Sequence, residues 1–88
     1  MALNFPNQSR SFDESARRVR FWGHDGAMEI EFVIELAAIV SLRPNTANID
    51  VQILAAFDAA RVRITEAAGK VYARHRRMSF CVLTASDF

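Results

Sequence analysis

The sequence predicts a small α+β domain, and three observations predict it. Strict alternation surrounds an Asp-Gly turn between Arg18 and Glu35, an apolar stripe of helical period runs from Asn45 to Arg77, and a short apolar run, 79–84, nears the end. The expected architecture is a small antiparallel sheet, made of a β-hairpin, the C-terminal strand and, where the N-terminus is a strand rather than an extended arm, an N-terminal strand. A short and a long helix cover one face of it.

Eighty-eight residues suit one domain spanning 1–88, and 51% hydrophobic residues suffice for a core. A formal net charge of +1 gives no global pull toward nucleic acid or acidic membranes. Ten of the eleven basic residues are Arg, which favours planar, bidentate pairing. One cysteine, Cys81, excludes an internal disulfide, and no zinc-like ligand set accompanies it. The N-terminus lacks a charged segment followed by a long apolar one, and no stretch approaches the ~18 apolar residues of a membrane span. A cytoplasmic protein with no membrane association and no cofactor is expected.

Residues 1–15 read as an arm and loop: Leu3 and Phe5 fit an edge strand or an extended arm, and Phe12 a plug against the core. In the hairpin, 18–35, a turn at Asp25-Gly26 sets Phe21 opposite Ile30 and Val19 opposite Phe32 on the buried side. Arg20 then faces Glu31, and Trp22 faces Glu29, on the other side. Leu36, Ile39 and Leu42 mark a short helix, 36–42, stopped before Pro44. Asn45, Thr46 or Asn48 can cap the long helix, 46–75, whose stripe is Ile49, Ile53, Phe57, Ala60, Ile64, Ala67 and Val71. The last strand, 79–84, shows no alternation and reads as buried on both faces, and the tail after it reads as frayed unless Phe88 docks.

A helix of about 29 residues spans roughly 43 Å, more than the roughly 31 Å diameter of a domain this size. It must overhang, break (Gly69 is the natural place) or lie against another subunit. Val51 and Val62 fall on the back of its apolar stripe. Together these observations motivate a homodimer.

Candidate chemistry is thin. Arg74, Arg76 and Arg77, with Tyr72 before them, resemble a nucleic-acid footprint, although cations also belong at a helix C-terminus. Arg18 and Arg20 read as half of a cross-strand charged ladder. Trp22, on the same outer face, marks a contact surface or lies under the N-terminal arm. Asp58 and Arg61, three apart, read as a structural ion pair joining loop and helix rather than as acid–base catalysts. His24, His75 and Cys81 stand at unrelated spacings, and no phosphate loop, nucleophile elbow or metal motif occurs, so no enzyme is expected.

The order Phe5-Pro6, Phe12-Asp13, Val19-x-Phe21, Gly26, Ile30-x-x-x-Ile34 and Phe57-x-x-x-Arg61-x-x-Ile64-x-x-Ala67 resembles the small bacterial proteins of domain-of-unknown-function family 1488. The likeness covers nearly the whole chain. It implies a compact α+β fold in a bacterial cytoplasm and supplies neither catalytic residues nor a ligand. The chain departs from that pattern in its hairpin tip, 21–26, and its basic segment, 74–77. The expected role is a non-enzymatic, homodimeric protein-interaction module using Trp22, Arg18, Arg20, Val51 and Val62. The alternative is a weak nucleic-acid-binding accessory protein using the basic helix end.

Overall fold

The computed structural model describes residues 3–74 and 79–88. In chain order these form β1 (Leu3–Asn4), β2 (Arg10–Asp13), β3 (Arg18–Asp25), β4 (Met28–Glu35), α1 (Leu36–Leu42), α2 (Asp50–Ala59), α3 (Arg61–Arg74) and β5 (Phe80–Leu83), followed by a 3₁₀ turn over Ala85–Asp87. The fold is α+β: five strands in one mostly antiparallel sheet, with the helices against one face. β3 and β4 form its centre, β1 and β2 share the outer edge of β3, and β5 lies beside β4.

The hairpin forms where alternation placed it, but its turn lies one residue later, at Gly26-Ala27. Asp25 therefore pairs with Met28, Phe21 with Phe32, Val19 with Ile34 and Trp22 with Glu31. Gly26 takes the left-handed φ of +63° that such a turn requires. The register thus differs from the expected one by two residues, an even step that keeps every side chain on its face. Val19, Phe21, Ile30, Phe32 and Ile34 are all buried with the helices.

Three further expectations are corrected. Arg10–Asp13 is a strand rather than loop, with Phe12 half-buried on its core side. β5 runs parallel to β4, because the chain crosses over through three helices before returning. It also alternates: Cys81 and Leu83 face the core, and Phe80 and Val82 face outward. The tail is not frayed, because Phe88 docks against the core as that expectation allowed, and a Thr84–Asp87 capping box holds the turn over Ala85–Asp87.

The long helix breaks at Ala60, not Gly69. Ala60 leaves helical geometry (φ −104°, ψ 13°), and its N–H is shared between the carbonyls of Ala56 and Phe57, both at 3.1 Å. Ile49 caps α2 without a side-chain bond and is 60% exposed, so neither Asn45, Thr46 nor Asn48 serves, and the buried stripe begins at Ile53. Two helices of about 15 and 21 Å fit within a body of 35 × 23 × 23 Å. Helix length therefore gives no reason for a second subunit.

Two glycines separate close approach from open space. A Cβ on Gly23 would stand 2.8 Å from Phe5 Cε2 and 3.1 Å from Phe32 Cε2, whereas one on Gly69 would meet nothing within 4 Å. Gly23→Ala should therefore lower unfolding stability by about 1–3 kcal/mol. Gly69→Ala should raise it by about 0.5–1 kcal/mol, through helix propensity. Denaturant melts of both variants check the pair, and destabilisation by Gly69→Ala would contradict this packing.

Candidate interaction surface

Alternation along three strands builds the outer face of the sheet. β3 sends out Arg18, Arg20, Trp22 and His24; β4 sends out Glu29, Glu31, Val33 and Glu35; β5 sends out Phe80 and Val82. A basic column thus lies beside an acidic one. Arg20 reaches Glu31 diagonally at 3.7 Å, and His24 stands 3.8 Å from Glu29. Trp22 is half-buried, while Phe80 and Val82 remain 36% and 38% exposed.

Val33 is fully buried, yet it stands outside the core cluster beneath the helices. Its cover must come from its own face. Arg18 reaches from β3 across β4 to β5, where its guanidinium lies 5.8 Å from the centre of the Phe80 ring. The side chain lies along the sheet, and its Nε is sealed from solvent with no hydrogen-bond partner among the described residues.

A second cluster sits at the bend between α2 and α3. Arg10 Nε and Nη2 donate to the two carboxylate oxygens of Asp58, each at 2.9 Å. Arg61 Nη2 donates to Asp58 at 2.9 Å and to the Gln8 carbonyl at 3.1 Å, and its guanidinium stacks 4.9 Å over the Phe57 ring. The Asp58–Arg61 pair joins loop to helix, and the structure adds Arg10, which the sequence reading missed. The hydrogen bonds from Arg10, then from Arg61, hold the Asp58 carboxyl below its ordinary range. Every group in this cluster is already engaged, so its chemistry is that of a clamp.

The remaining candidates lie apart. Tyr72 is buried, and its hydroxyl donates to Asp25 at 2.6 Å; that bond, and then burial, raise its pKa. Arg74 donates to Asp87 at 3.1 Å, while Arg76, Arg77 and His75 lie outside the described residues. Val51 and Val62, each 72% exposed, are on the helical layer, not on the face that carries Trp22. Burial raises the pKa of the Cys81 thiol, the reverse of what activates a nucleophile. A cleft of about 330 Å³ between the α1–α2 loop and α2, lined by residues 42–46, Gln52, Ala55 and Ala56, offers Arg43 as its one ionisable side chain. Among the described residues no group of His, Cys, Asp or Glu is placed to hold a metal, and no helix is long and apolar enough to cross a membrane.

The family model described as "Protein of unknown function (DUF1488)" matches residues 3–83. A crystal structure of a protein of unknown function of that family from Shewanella loihica PV-4 superposes with a TM-score of 0.81 at 20% identity. The match covers 93% of this chain and 91% of the other, and the likeness is one of fold. No curated protein matches the chain.

Two titrations check these contacts. Because the folded pKa of Asp58 is lowered, its contribution is present above the ordinary carboxylate range, about 3.9, and is lost as pH falls through the folded value. The carboxylate is 43% exposed, so screening holds that contribution to about 1 kcal/mol. Asp58→Asn should cost that much at neutral pH, with wild type and variant converging in acid; a gap constant with pH would count against the clamp. Tyr72 is the only tyrosine, so phenolate absorbance reads it directly. Its midpoint should lie above 10.0 and fall toward that value in Asp25→Asn, its hydrogen bond being lost as pH rises through the raised pKa. An unshifted midpoint would contradict the contact.

Proposed function

The chain belongs to the DUF1488 family, whose description gives no function, and from that premise we propose that it is a non-enzymatic, homodimeric protein-interaction module docking through the outer face of its sheet. One observation carries this reading: the helices pack on one face only, and the other keeps the single tryptophan, two arginines and the half-exposed Phe80 and Val82. Trp and Arg are the side chains most enriched at interface hot spots, and contiguous exposed apolar surface marks contact sites.

The occupant we assign is a second copy. The basic column of β3 beside the acidic column of β4 is self-complementary, since a two-fold rotation lays each against the opposite sign. A net charge of +1 adds little repulsion between copies. The raised Cys81 pKa and the cleft without an acid–base pair support a non-enzymatic role. We take the compartment to be the cytoplasm, which suits a lone cysteine. The nucleic-acid alternative rests on the basic end of α3, and no observation favours it: Tyr72 is buried and Arg74 is paired.

Sedimentation equilibrium tests the proposal. Wild type should form a dimer, Trp22→Ala should weaken it by about tenfold or more, about 1.4 kcal/mol, and Val62→Ser should leave it unchanged. Wild type that keeps a monomer mass across micromolar concentrations would overturn it.

A further inference from the structure

Arg18 and Glu35 stand directly opposite each other in the β3–β4 register. Opposite charges so placed ordinarily pair, and even on the diagonal Arg20 comes within 3.7 Å of Glu31 on this face. Arg18 and Glu35 do not. Arg18 turns away across β4 toward Phe80, with its Nε sealed and without an acceptor among the described residues. Glu35 is exposed; it occupies the N-cap position of α1 yet makes no capping bond, and its carboxylate has no ion-pair partner among the described residues. Asp13, opposite Arg18 on β2, takes its hydrogen bonds from the Ser15 hydroxyl and the Ala16 N–H, and Arg18 acts on it only as a nearby charge. Among the described residues Arg18 and Glu35 thus stand side by side with no ion pair between them, at one end of the outer face.

We propose that Arg18 of each copy pairs with Glu35 of the other across the two-fold axis, an inference that rests on the dimer assigned above. Near such an axis, two residues adjacent within one chain meet each other's counterparts, so both contacts form together. The Phe80 ring, 5.8 Å from the guanidinium, helps keep that cation on the outer face of the sheet. The site is therefore a reciprocal arginine–carboxylate clasp, and its ligand is a glutamate of a second copy.

Sedimentation of charge-reversed chains tests the clasp. Arg18→Glu and Glu35→Arg should each weaken self-association at least tenfold, because like charges then meet at both contacts. An equimolar mixture of the two should restore it to within about threefold of wild type. In the mixed dimer both intermolecular contacts join opposite charges, while within each chain positions 18 and 35 still repel. Restoration therefore cannot come from an intramolecular pair. Circular dichroism confirms folding; if a reversal unfolds the chain, Arg18→Gln and Glu35→Gln should each weaken association severalfold. A dimeric wild type whose variants associate unchanged, or whose mixture stays weak, overturns the clasp and leaves the dimer standing. A monomeric wild type overturns both.

Discussion

The stacking of Phe21 on Phe32 is the contact on which the rest of the structure depends. Their rings lie 5.3 Å apart and 18° from parallel, and they are register partners at the centre of the β3–β4 hairpin. Phe57 of α2 leans on Phe21 at 5.2 Å, which seats the helical layer; Phe5 touches both rings, which seats the N-terminal edge. Gly23 leaves the gap that Phe5 fills. β5 aligns on the same pair, with Cys81 beside Phe32. A register slip by one residue would move both rings to the solvent side and unseat all of these at once.

Committing one face of the sheet to that cluster decides the character of the other. The helices are used up on the inner face, so among the described residues the outer one is covered by its own long side chains. Arg18 reaching across to Phe80 and the sealing of Val33 follow from this. The Arg20–Glu31 ion pair on the outer face is exposed and weakly stabilising. The polar contacts that tie distant parts of the chain together lie elsewhere, at the partly exposed Arg10–Asp58–Arg61 clamp and at Tyr72–Asp25. The face carrying Trp22 is therefore free to serve association without a conflicting duty in folding.

Features set by local pattern were legible in the sequence, and features set by distant contacts were not. Alternation from Arg18 to Glu35 placed the hairpin and sorted its faces, and helical period marked Ile53, Phe57, Ile64, Ala67 and Val71 as core. The turn was misplaced because both Asp-Gly and Gly-Ala put a glycine where positive φ is required. The break at Ala60 carries no glycine or proline; it coincides with a clamp whose Arg10 is 48 residues from Asp58. β2 offered one apolar residue, Phe12, in four, too short a run for periodicity. Trp22, Arg18 and Arg20 were placed together on one face by parity alone. That Arg18 and Glu35 are adjacent yet unpaired depends on side-chain direction, which no periodicity carries.

Trp22 is the only tryptophan, so its fluorescence reports the outer face alone. The most direct test of the central claim, that this uncovered face closes against a second copy, is quenching of that fluorescence by a neutral quencher across a dilution series. Quenching should be weak at high concentration and strengthen as the protein is diluted through its dissociation constant, in step with the fall in mass. Quenching that stays constant while the mass halves would place the interface elsewhere and contradict the account.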